Sequence, residues 1–246
     1  MDTLLAIISG GAIGAVLGFV GAGGAMLSVP ILMYGFGFDP KPATTAALAV
    51  VFLAAVSGVI PKIRKKQLLY RDALVIWSIG TITNLGFSSV VDKISDSVIT
   101  TGFAGILLLA GTTMLRPPKL ESHKRMPLPI LIFMSLVIGS MTGLFGIGGG
   151  FLAIPVLVLY FGTPQIVAAG TSLLIIAANS LTAFIGHRSQ WSEVHWHIPI
   201  IMGAAAIIIA QIASRISHRT SPEILRKSFA YLLFGISLFT LVQTYL

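Results

Sequence analysis

A chain of 246 residues that is 55% hydrophobic and only 10% charged, with a mean hydropathy of +0.94, is far more apolar than a soluble domain, where about 25% of residues are charged. It reads as an integral membrane protein, and soluble enzyme folds are excluded. The absence of cysteine excludes disulfides, thiolate metal sites and thiol nucleophiles, and the net charge of +8 speaks in such a chain for topology before nucleic acid.

The first residues, Met1 to Leu5, carry no Lys or Arg and so lack the basic region of a signal peptide, which makes Leu4–Val20 an expected part of the mature protein. Apolar stretches then follow at Gly24–Gly37, Pro42–Ile60, Asp72–Val91 and Ser97–Leu115. A second set covers Leu128–Phe145, Gly149–Gly162, Gln165–Gly186, Trp196–Ser214 and Ile224–Tyr245. Several reach the length of about 18 residues needed to cross a hydrocarbon core of roughly 30 Å. A membrane barrel would alternate apolar and polar residues over segments of about 10, whereas Ile99–Leu115 and Ile166–Ile185 are continuously apolar or small. The expected fold is all-α, a polytopic membrane helix bundle. Arg116–Pro127, with two Lys, two Arg and three Pro, is the one composition shift that resembles a linker, and it divides the chain into 1–115, 116–127 and 128–246.

Those halves look like copies. Gly18 to Leu32 aligns without gaps, 125 residues on, with Gly143 to Leu157, and seven of fifteen positions are identical. The identities include Gly21/Gly146, Gly23/Gly148, Gly24/Gly149 and Pro30/Pro155, and the same offset pairs Gly14 with Gly139. Internal repeats of this kind are a common build of transporters.

Of sixteen Lys and Arg, thirteen fall in three regions: Pro61–Arg71, the linker, and Arg215–Lys227. Lys41, Lys93 and Arg188 lie in the intervening loops. The positive-inside rule makes the three basic regions, linker included, cytoplasmic. Gly24–Gly37 spans only about 21 Å as helix, so it is expected to pair with Leu4–Val20 as a broken helix pair that meets at Gly21–Gly24 and returns to its starting side. Three full spans after each pair then invert the chain, and the two repeats are expected to be inverted.

Discontinuous helices in inverted repeats bring half-helix N-termini, with exposed N–H groups and a positive dipole end, toward the bilayer midplane, where they can hold an anion. Glycine there allows positive φ and close approach of backbone amides to a ligand. Gly21, Gly23, Gly24 and their copies Gly146, Gly148 and Gly149 are therefore candidate ligand contacts. Gly10, Gly14 and Gly18, four residues apart, read instead as a helix-packing stripe.

Two copies of this glycine turn, Gly21 to Pro30 and Gly146 to Pro155, together with Ala169-Gly-Thr-Ser-Leu173, resemble the sulfite exporter TauE/SafE family of membrane transporters. The resemblance covers nearly the whole chain. It implies a bacterial or archaeal cytoplasmic-membrane protein that moves sulfite, sulfonates or related small anions outward. Where the second half has Gly-Thr-Ser-Leu, the first reads Ala43-Thr-Thr-Ala-Ala-Leu48, and aligning Thr45 with Thr171 takes a one-residue gap.

All eight acids fall in loops or at span ends, which argues against a buried carboxylate proton carrier, an intramembrane aspartyl protease or a metal-carboxylate enzyme. The remaining candidate contacts are neutral: Thr44, Thr45, Thr171, Ser172 and Asn179. Each competes with a plainer role, since Ser and Thr in membrane helices commonly bond their own i−4 carbonyl. Asn84 reads as interhelical glue. His187, His195 and His197 lie close together but have no Cys or supporting pattern for zinc and read as a solvated loop. Arg188 could attract anions at an outer mouth, while Lys62 to Lys66 read as topology determinants. The expected function is a secondary transporter that exports a small anion by alternating access, not an enzyme, with no cofactor. Its partners are the anion and the lipid bilayer, with a second copy of the chain left open. An anion channel built around the same site is the alternative.

Overall fold

A computed structural model describes residues 2–88, 96–115, 127–145 and 150–245. Ten α-helices are found among them: α1 (Asp2–Val20), α2 (Gly24–Pro30), α3 (Pro40–Arg64), α4 (Tyr70–Ser88), α5 (Asp96–Leu115), α6 (Leu128–Phe145), α7 (Gly150–Pro155), α8 (Gln165–Gly186), α9 (His197–Ser217) and α10 (Pro222–Tyr245). No strand occurs among the described residues. The helices α1, α3, α8, α9 and residues Pro222–Gln243 of α10 are each long and apolar enough to cross a membrane. Outward-facing Leu4, Ile8, Ile82, Leu109, Phe133, Ile200, Ile208 and Leu238 are all exposed, a surface that an aqueous monomer would not tolerate but hydrocarbon would.

The short second segment forms as expected. After α1 the chain breaks at Gly21 and Gly23, with φ of 87° and 89°, a region that a side chain with a Cβ rarely adopts. From there α2 starts at Gly24 and runs to Pro30, where it widens into a π-helical turn, Ile31–Gly35. Proline explains the widening: it removes an N–H, and its ring crowds the carbonyl one turn back. From α7 onward the second half repeats these steps. Pro155 ends α7, a π-helical turn follows at Val156–Tyr160, and both segments close on a glycine of positive φ, Gly37 and Gly162. Equivalent backbone bonds seal the two ends, Phe38 N–H to Leu32 O (3.1 Å) and Thr163 N–H to Leu157 O (3.0 Å).

Packing follows small residues. Parallel α1 and α9 meet where Gly10, Gly14 and Gly18 lie against the backbone of Met202, Ala206 and Ala210, so the stripe is a close-packing seam. In the same way α6 meets α4 at Gly139, against Gly80 and Thr83. Antiparallel α5 and α10 are joined by Ser237 Oγ donating to Ala104 O (3.0 Å). In the centre α3 packs against α8 and α9, and their Ala and Val faces are fully buried (Ala46, Val50, Ala54, Ala206, Ala210). Ser57 Oγ donates to Ile207 O (2.6 Å) and Ser214 Oγ to Gly58 O (2.7 Å), so α3 and α9 are also tied through polar groups that lipid could not satisfy.

Sequence expectation ended the third span at Ile60 and assigned Lys62 and Arg64 to a loop. The helix continues to Arg64 with Pro61 inside it. Of the basic group, Arg64, Lys65 and Lys66 are exposed, but Lys62 is fully buried.

Candidate functional site at the ends of two central helices

The helices α3 and α8 run antiparallel, and each begins beside the chain that leaves the other. At one end Thr45, in the second turn of α3, meets the segment after α8: its Oγ1 lies 3.1 Å from His187 Nδ1 and 3.1 Å from Gln190 Oε1. At the other end Thr171, in the second turn of α8, accepts a hydrogen bond from the Leu69 backbone N–H (3.1 Å) in the segment after α3. Both threonines are fully buried. Both also donate to the carbonyl four residues back, Thr45 to Lys41 O (3.0 Å) and Thr171 to Val167 O (2.8 Å). The plain role is therefore present, and a second, bridging role accompanies it.

The remaining candidates separate by position. Thr44 is half-buried and donates to Pro40 O (2.8 Å). Ser172 is fully buried beside Thr171, and Asn179 lies two turns further along α8, half-buried. Gly21, Gly23 and Gly24 are buried and face three different neighbours. A Cβ at Gly21 would strike Ala169, one at Gly23 would come within 2.6 Å of Leu232 Cδ2, and one at Gly24 would strike Leu17. The first glycine turn thus lies against the start of α8, two residues from Thr171, while Thr44 and Thr45 stand at the far end of α3. Gly146, Gly148 and Gly149 lie outside the described residues.

Around Gly170 the contacts continue. A Cβ there would strike Gln67 O and approach Lys62 Cδ to 3.1 Å, and Lys62 Nζ donates to Ser217 Oγ (3.1 Å) at the end of α9. Sequence reasoning missed Lys62 because four cations in five residues, Lys62 to Lys66, look like a solvated loop. The signal available was the apolar period of α3, which carries through Val59 to place Lys62 on the buried face. His218, next to this group and just beyond α9, has its pKa pushed down to about 4 by burial first, and then by Lys65 and Lys62. At the other end burial also lowers His187. Burial thus favours the neutral imidazole at both positions.

Where their side chains are described, the acids sit at helix ends or in loops. Among the described residues Asp2, Asp72 and Glu223 occupy first turns, Asp39 precedes α3 and Glu193 lies in a short 3₁₀ turn. Among the described residues the buried polar groups are hydroxyls, amides, the Lys62 ammonium and the Arg226 guanidinium, a set that donates to an anion and includes no carboxylate for a cation.

The family model for the sulfite exporter TauE/SafE matches residues 6–240. The chain belongs to the TauE/SafE family. Several relatives match most of the chain. A "probable membrane transporter protein" of Xylella fastidiosa (strain Temecula1) is 26% identical over 251 residues, covering 98% of this chain and 96% of the relative. The "probable membrane transporter protein YunE" of Bacillus subtilis is 25% identical over 89% of this chain and 90% of its own. A further protein of the same description, from Methanocaldococcus jannaschii, is 26% identical over 97% of this chain and 95% of its own. This TauE/SafE protein is thus a multi-pass membrane transporter with a small-molecule substrate in a lipid environment, and not an enzyme.

Proposed function

We propose that this protein is a secondary transporter that exports a small sulfur oxyanion, sulfite or an organosulfonate, across the prokaryotic cytoplasmic membrane. The observation that carries the reading is the family match from residue 6 to residue 240, joined to an interior whose described polar groups suit an anion. Dianionic cargo leaving a cell with a negative interior is favoured by about 2.3 kcal/mol per charge per 100 mV, so export needs no buried proton carrier.

Alternating access is proposed between two inverted halves, 1–115 and 128–246, joined by a cytoplasmic linker 116–127. Three features support the inversion. The Pro, π-turn and positive-φ glycine recur 125 residues apart. The α1/α9 seam at Gly14 has a counterpart in the α6/α4 seam at Gly139. Thr45 and Thr171 each tie the start of one central helix to the exit of the other. Substrate is proposed to meet the first glycine turn with Thr171 and Ser172 at one end of the route and Thr44 and Thr45 with the second turn at the other, Asn179 lining the path between the two ends. The end that bears Lys62, Arg64 to Lys66 and Arg215 to Arg219 is proposed to face the cytoplasm.

The reading is tested by substitution at the paired turns. Gly23→Val and Gly148→Val are expected to reach the membrane and to lose sulfite flux in proteoliposomes. Wild-type flux in both would remove the glycine turns from the mechanism.

A further inference from the structure

Two charged side chains are buried among the described residues, Lys62 and Arg226, and Lys62 is the deeper. It is 0% exposed, yet no carboxylate lies within ion-pair reach of it among the described residues, and its one hydrogen-bond partner there is the Ser217 hydroxyl. An ammonium has three N–H donors, so two are left without an acceptor. Taking such a group out of water is costly unless it is paired. Position at the end of α9 offsets part of that cost, since a helix C-terminus presents about half a negative charge, and the remainder is still net positive. The imidazole of His218 senses this field, in which Lys62 and Lys65 oppose its protonation.

The surroundings of Lys62 connect it to the first glycine turn. Gly21 packs on Ala169, and the next residue, Gly170, has no side chain where the Lys62 stem and Gln67 O pass. A larger residue at 170 would push Lys62 and the exit of α3 away from α8. The glycine brings an uncompensated cation to the level of the Gly21–Gly24 break.

We propose that Lys62 is an anion-binding residue at the basic end of the transport route, where it donates two N–H groups to the oxygens of a small oxyanion while Ser217 holds its third. This inference rests on the oxyanion-transport reading above and adds to it a residue and an end. The oxygens of a sulfite, a sulfonate or an anionic lipid headgroup share this chemistry, and the lipid composition of the assay separates them.

The experiment uses the full-length protein in vesicles of phosphatidylcholine alone, which have no anionic headgroups, loaded with sulfite. Lys62→Met and Lys62→Gln are expected to raise the half-saturating sulfite concentration on the basic face by about tenfold or more, the effect of losing a charge-assisted hydrogen bond. Arg64→Met, which removes an exposed cation from the same helix end, is expected to leave it unchanged. Should neither Lys62 variant fold, carbamylation of Lys62 by cyanate in the wild type decides: sulfite is expected to slow it. Wild-type saturation in both Lys62 variants would overturn this inference alone, as would Lys62 labelling that is absent or indifferent to sulfite. Loss of sulfite dependence in phosphatidylcholine with its return in anionic lipid would assign Lys62 to a headgroup and overturn it too. A wild type that moves no oxyanion would overturn the transport reading and this inference with it.

Discussion

Gly14→Ala tests the α1/α9 seam with a single methyl group. The added Cβ would fall 2.5 Å from Ala206 O and 2.9 Å from Ala206 Cα, against an ordinary contact of about 3.4 Å, so the helices must part by roughly 0.9 Å. Both obstacles are backbone, and no rotamer change relieves them. A gap of that size forfeits a quarter to a half of each dispersion contact along the seam, and overpacking typically costs about 1–3 kcal/mol. The cost is expected near the upper end, since the neighbouring Gly10 and Gly18 contacts loosen together, less about 1 kcal/mol from the better helix propensity of alanine. The net loss is about 2 kcal/mol. Gly11→Ala is the internal control: its nearest neighbour is Ile209 Cγ1 at 3.7 Å, an easy contact, so it is expected to be neutral or to stabilise by up to about 1 kcal/mol. Reversible unfolding in mixed micelles reads the difference. Equal stability of the two variants within about 0.5 kcal/mol would refute the packing argument.

Further outcomes follow from the two helix ends. Thr171→Val removes the acceptor of the Leu69 N–H and is expected to destabilise by about 1–3 kcal/mol, with Thr171→Ser near wild type; thermal unfolding in detergent compares them. His218 is held neutral down to about pH 4 when folded, against about 6.5 when unfolded. The unfolded chain therefore binds the extra proton between those values: stability is full above about pH 6.5, declines toward pH 4 and levels off below. His218→Gln is expected to flatten this slope, and an unchanged pH profile would count against the burial of the ring. Cysteine labelling checks sidedness: Ser192→Cys is expected to react with an impermeant reagent from outside the cell and Lys66→Cys only after the membrane is opened.

Much of the architecture was legible because membrane helices need long apolar runs and turns need glycine. The break at Gly21–Gly24 was readable for that reason, as was the packing role of Gly10, Gly14 and Gly18, which repeat on one helix face. The widening of the helix after Pro30 was not, because a proline inside an apolar run signals disturbance without specifying a π-turn. Thr45, Thr171 and Ser172 are buried hydroxyls, but sequence cannot tell which of them bridge elements. Thr44 and Thr45 are adjacent and alike, yet Thr44 bonds only within α3 while Thr45 reaches His187 and Gln190. That difference depends on which face α8 covers. Lys62 was misread for a related cause: its charge places it in a basic loop by composition, and the burial that α8 and α9 impose on α3 is a tertiary fact.

Flux of sulfite, sulfate, sulfoacetate and taurine from proteoliposomes, with the membrane potential clamped at several values, tests the central claim most directly. The account predicts saturable release of sulfite or one sulfonate, steeper with potential in the direction that draws the anion outward, and exchange of labelled for unlabelled anion across the membrane. Release that neither saturates nor shows counterflow would make the protein a channel, and correctly inserted protein that releases none of the four would contradict the proposed export of sulfur oxyanions.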